Sequence, residues 1–122
     1  MSGEPTLTKK YFSIDDANRM LPLVRAIVRD VVKEYERLER LQDDSNAGSS
    51  KSDDMEAVRD ELHALVDELQ QLGLSLKDFK MGLVDFPHQR EGREVNLCWH
   101  LGEENVSTWH EIDSGFAGRQ PL

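Results

Sequence analysis

The chain reads as an α+β protein: a long antiparallel helical hairpin, opening with a short kinked helical turn, packed against a three-stranded antiparallel sheet. Three observations carry this. Apolar residues recur every three or four positions from Leu21 to Leu72, broken only by one polar stretch. Beyond Gly73 the period drops to two. Two turn signals, Glu91-Gly92 and Gly102-Glu103-Glu104-Asn105, divide the alternating part into three runs.

Ser13, three residues before Asp16, reads as a helix cap, so the first helix spans 14–43. Pro22 lacks the N–H that would bond back to Asn18 and predicts a kink or a restart there. The seam of this helix is Leu21, Val24, Val28, Val31, Tyr35, Leu38 and Gln42. Ile27, Val32 and Leu41 widen it, which means more than one neighbour must be satisfied. Residues 44–54 are polar and of low complexity, a flexible loop by composition. Asp53, three residues before Glu56, caps a second helix over 55–72 with the seam Met55, Val58, Leu62, Leu65, Leu69, Leu72. Gly73 stands where a C-terminal glycine cap belongs. Two such helices fold back in coiled-coil fashion, with Val28 opposite Leu69 and Leu38 opposite Val58.

Residues 83–112 read as a three-stranded meander, and 113–122 as a tail. Arg90 opposite Arg93 sets Phe86 against Leu97 and Val84 against Trp99. Leu101 opposite Val106 sets Thr108 against Trp99 and His110 against Leu97. One face then carries Val84, Phe86, His88, Val95, Leu97, Trp99, His110 and Ile112, and is the core face. Asp85, Cys98, His100, Trp109 and Glu111 fall on the other. A sheet this small is unstable alone, so the hairpin must cover it.

At 122 residues the chain forms one domain, and its net charge of −9 is unevenly spread. Between residues 53 and 72 seven acids face a single base, Arg59. Such a surface repels phosphate backbones, so nucleic acid is not an expected partner. No apolar run approaches the roughly 20 residues of a membrane span. The start of the chain shows no hydrophobic signal segment, and Cys98 is the only cysteine. Both features fit a reducing cytoplasm.

Several words of the sequence act together. Tyr11-Phe12-Ser13-Ile14-Asp15-Asp16-Ala17-Asn18 with Leu21-Pro22 opens the chain. Gly82-Leu-Val-Asp-Phe-Pro, Gly92-Arg-Glu-Val, Leu97-Cys-Trp, Trp109-His-Glu and Gly115-Phe-Ala-Gly-Arg-Gln-Pro close it. In these words, and over nearly its whole length, the chain resembles the bacterial domain-of-unknown-function 2203 family. That resemblance implies a small bacterial cytoplasmic protein and brings no activity, cofactor or partner with it.

Both Trp, the only Cys and three of the four His lie in the last third, where any site must be sought. Zinc through Cys98, His88, His100 and His110 is disfavoured by the register, which puts His88 and His110 on one face and Cys98 and His100 on the other. A looser set of Asp85, His100 and Glu111 is allowed, but no metal and no cofactor is expected. His88 and His110 read as half-buried histidines bonded to backbone or to Tyr35 rather than as a proton-transfer pair. Trp109 on a face that should be solvated calls for a cover, either the tail with Phe116 tucked in or another subunit. Arg119 reads as a tail clasp to Asp85 or Glu111 before it reads as an anion clamp. The candidate ligand-binding set is therefore Asp85, His100, Trp109, His110, Glu111 and Arg119, with no catalytic residue assigned. The expected function is a non-enzymatic scaffold or interaction protein, a homodimer or higher homo-oligomer joined through its helices. The alternative is a small-ligand or metal-binding protein, or an enzyme, with its site on the sheet.

Overall fold

A computed structural model describes residues 9–46 and 52–122. Helix α1 runs Ile14–Asn46 and helix α2 Ser52–Gln71. Five strands follow: β1 Ser75–Asp78, β2 Leu83–Arg90, β3 Arg93–His100, β4 Thr108–Glu111 and β5 Gln120–Pro121. They lie in chain order as one antiparallel meander. The α+β class and the helical hairpin are as expected, but the sheet has five strands instead of three. β1 is Ser-Leu-Lys-Asp and β5 is Gln-Pro, too polar and too short to show an alternation. Among the described residues, no helix is long and apolar enough to cross a membrane.

Ser13 caps α1, its Oγ accepting from the Asp16 N–H at 3.0 Å. The helix continues through Pro22 without the predicted restart. Both helices reach further into the expected loop than their apolar seams do, to Asn46 and from Ser52, and residues 47–51 of that loop lie outside the described part. The end of α2 is as read: Gly73 sits at φ 92°, with Gly73 N–H donating to Gln70 and Leu74 N–H to Leu69. These are the two bonds of a Schellman cap.

The seams of both helices and the inner face of the sheet form one core. Val24, Val28, Val31, Val58, Leu65 and Leu69 meet Val84, Phe86, Val95, Leu97, Trp99 and Trp109 there. Ile27 is buried in the same cluster, with Val32 and Leu41 half-buried against it. Much of the apolar width of α1 is thus used within the chain. Gly82 lets the β1–β2 turn sit down on α1: at φ 68°, a Cβ there would lie 2.7 Å from Val28 Cγ1. Pro87 is tolerated mid-strand because its carbonyl, and so its missing N–H, points to the edge of β2 beyond the end of β1. Phe12 N–H donates to that carbonyl at 2.8 Å.

The register of β2 on β3 is the expected one, with Arg90 opposite Arg93 and Phe86 opposite Leu97. The turn residues Glu91 and Gly92 both have positive φ, as a two-residue hairpin turn of this hand requires. The register of β3 on β4 is not. Leu97 faces Trp109 and Asn96 faces His110, one residue away from the expected pairing. The connection is a longer loop over 101–107, not a tight four-residue turn. It is tied to α1: Val106 N–H donates to Asn18 Oδ1 at 2.7 Å and Arg25 donates to the Glu104 carbonyl at 3.2 Å. Because side chains alternate, a one-residue slip exchanges the two faces. Trp109 enters the core, and His110 moves to the outer face beside Cys98.

Candidate functional site

Asp85 on β2 is paired across the sheet with Cys98 on β3, and His110 on β4 reaches over β3 to meet them. His110 Nε2 lies 3.0 Å from Asp85 Oδ1, and its Nδ1 lies 2.7 Å from the carbonyl oxygen of Glu111. All three side chains are buried, with residue exposures of 3% for Asp85, 0% for Cys98 and 2% for His110. A carbonyl only accepts, so Nδ1 carries a proton. The Nε2–Oδ1 contact then needs a second proton between ring and carboxyl. One shared proton therefore sits in a nearly dry pair, where both partners are costly to separate.

The Cys98 thiol completes the cluster. Its pKa is pushed up to about 12, first by burial and then by the neighbouring Asp85 charge, while Arg119 pulls weakly the other way. It is a neutral thiol at ordinary pH and a poor nucleophile. Asp85, Cys98 and His110 each offer one ligand-type atom, and these atoms lie within 4.8 Å of one another. Asp85 and His110 form part of the floor of a cleft of about 620 Å³ on the outer face. Lys9 stands on one side of it, ion-paired to Glu94, whose other oxygen accepts from Tyr11 at 2.9 Å. These bonds hold the Glu94 carboxyl below its ordinary range. Ser114, Gly115 and Phe116 of the tail stand on the other side.

The remaining candidates disperse. Arg119 is a tail clasp, but its partners are Glu103, in an ion pair, and Thr108 Oγ1 at 2.9 Å, instead of Asp85 or Glu111. Its guanidinium lies 4.8 Å from the centre of the Phe116 ring, and that ring meets His100 edge-on at 6.1 Å. His100 Nδ1 is occupied by the Leu101 carbonyl at 2.8 Å. His100 and Arg119 thus fix the tail that walls the cleft. Trp109 and Glu111 belong to the opposite face: Trp109 is buried in the core with Arg90 4.6 Å from its ring, and Glu111 accepts from Arg93 Nε at 3.1 Å. That bond holds the Glu111 carboxyl low and the Arg93 guanidinium high. His88, on the inner face, takes the backbone partner expected for it, the Phe12 carbonyl at 2.7 Å.

Of the six expected site residues, only Asp85 and His110 share the polar cluster. Cys98 is the third member, although the register expected from the sequence puts His110 and Cys98 on opposite faces. The sequence signal for the observed register is Trp109 itself. Pairing that large aromatic with the apolar face of β3 would have turned His110 outward and left Ile112 exposed; Ile112 is 53% exposed.

Fold and site together define an α+β protein with a buried carboxylate–imidazole–thiol cluster beneath a surface cleft. The chain belongs to the family described as Uncharacterized conserved protein (DUF2203), which it matches over residues 10–122. No curated protein and no solved structure matches the chain.

Proposed function

We propose that this is a small-ligand-binding protein whose site is the outer-face cleft, with Asp85 and His110 as its polar anchor. The observation that carries this reading is the buried Asp85–His110 pair at the floor of a cleft whose volume is typical of ligand sites. A pair that shares one proton can donate to or accept from a bound molecule. The lining holds the acids Asp78, Asp85, Glu94 and Asp113 against Lys9 and Lys77, while Arg119 is spent on Glu103. That balance favours a neutral or cationic ligand over an anion. The setting most consistent with a lone thiol is the cytoplasm.

Titration of isotope-labelled protein with neutral and cationic small molecules tests this. The reading expects amide shifts gathered at Asn96, His110 and Ser114. Shifts gathered elsewhere, or none across such a panel, would remove it.

Self-association through the helices is a second reading. It is favoured by Leu23 of α1, which is 51% exposed, and by Ile14, which is exposed on the same helix. Burying such side chains contributes roughly 1.5–3 kcal/mol each. A monomer by light scattering at micromolar concentration would remove this reading and leave the cleft untouched.

A further inference from the structure

We propose that Asp85, Cys98 and His110 form a binding site for a divalent transition metal ion of the zinc type, with the fourth coordination position open to the cleft. The inference rests on the ligand-site reading only for what occupies that fourth position.

Three features support it. The first is the donor set. Carboxylate, thiolate and imidazole together suit zinc and its neighbours, whereas magnesium and calcium take oxygen alone. The second is spacing. Bonds of about 2.0–2.3 Å in a tetrahedron place ligand atoms roughly 3.3–3.8 Å apart. The three donors already lie within 4.8 Å of one another, and the Oδ1–Nε2 pair is at 3.0 Å, so closing on an ion needs side-chain shifts of at most about an ångström. The third is orientation. His110 Nδ1 donates to the Glu111 carbonyl, the outer-shell bond that fixes a metal-binding imidazole with its other nitrogen free to coordinate. Here that nitrogen points at Asp85, in the same buried cluster as Cys98.

The charge balance is also suitable. Without metal the cluster holds a neutral thiol and a carboxyl–imidazole pair sharing a proton, and is neutral overall. A divalent ion that displaces the thiol proton and the shared proton leaves one carboxylate, one thiolate and a neutral ring around two positive charges. The buried site stays neutral, so binding adds no uncompensated charge to the protein interior. Three protein ligands and one open position facing a cleft is the arrangement of sites in which a metal-bound water or ligand can exchange.

The test uses the full chain, stripped with a chelator and titrated with Zn²⁺ and, separately, Co²⁺. The expected result is one equivalent bound, with Co²⁺ giving a thiolate-to-metal charge-transfer band and the strong visible absorption of a four-coordinate ion. Cys98→Ala should abolish that band and the stoichiometric binding, while His88→Gln and His63→Gln, the latter exposed on α2 and away from the cleft, leave both intact. If Cys98→Ala does not fold, the wild-type Co²⁺ spectrum decides alone. Absence of the charge-transfer band, or less than stoichiometric binding at micromolar metal, overturns the proposal. Small-molecule titration of the stripped protein separates the two readings. Ligands that enter the cleft of a protein that takes no metal leave the cleft standing and the metal site fallen; bound metal with no cleft ligand does the reverse.

Discussion

The two connections on either side of β3 are built on different principles. Glu91-Gly92 stands clear of the rest of the chain, and nothing lies within 4 Å of where a Gly92 Cβ would be. Its register comes from two residues with positive φ, and those residues are visible in the sequence. The loop over 101–107 takes its register from α1, through Asn18 and Arg25, more than 70 positions earlier in the chain. A register held by local turn chemistry can be read locally. One held by a tertiary tether cannot, and here that register decides which face receives His110.

Glycines sharpen the contrast most strongly. Gly82 and Gly92 both have positive φ, but only Gly82 is pressed against α1. Gly82→Ala should cost about 2–4 kcal/mol, from left-handed strain plus overpacking against Val28. Gly92→Ala should cost only about 1–2 kcal/mol, from the strain alone. Urea unfolding of the two variants would show the difference; equal losses would mean that the β1–β2 turn is not seated on the helix.

The tether itself is the next largest effect. Asn18→Ala leaves the buried Val106 N–H without its acceptor and should cost about 1–2 kcal/mol. It should also speed amide exchange in residues 101–108 while leaving the β2–β3 turn unchanged. Exchange rising equally at both connections would break the comparison.

A smaller effect belongs to the tail. Arg119→Ala removes a half-buried clasp on Glu103 and Thr108 and should cost about 1 kcal/mol, with faster exchange in residues 113–122. The largest shifts are expected at Glu103 and Thr108, the residues that Arg119 contacts. A larger shift at Asp85 than at Glu103 would restore the pairing read from the sequence.

At neutral pH the smallest effect is that of Cys98. Its thiol is held up to about 12 in the folded chain against an ordinary value of 9.0. Between these values the unfolded chain has released the proton and the folded chain has kept it. This contribution is therefore fully present below pH 9 and is lost as pH rises towards about 12. Wild-type stability should fall more steeply over that window than that of Cys98→Ala. Parallel curves would show the thiol to be in contact with solvent.

What was legible follows the same division. The helical seams, the Gly73 cap, the Ser13 cap and the β2–β3 register all rest on periodicity or local turn chemistry, and all appear in the structure. β1 and β5 carry no apolar alternation, so five strands read as three. In β4 two alternations compete. Val106, His110 and Ile112 make one face, Trp109 the other, and tethering Val106 into the core from a loop frees the strand to bury Trp109. The candidate site was half legible for that reason. Asp85 lies on a correctly registered strand, while His110 lies beyond the connection whose register is set from α1.

The central claim is that Asp85, Cys98 and His110 meet on the outer face because β4 pairs with β3 one residue away from the tight-turn register. Cross-strand proton–proton contacts measured by nuclear magnetic resonance test it most directly. The account predicts contacts that pair Leu97 with Trp109 and Asn96 with His110, and a His110 ring proton on Nδ1 protected from exchange. Contacts pairing Leu97 with His110 and Trp99 with Thr108 would contradict it and return His110 to the core face.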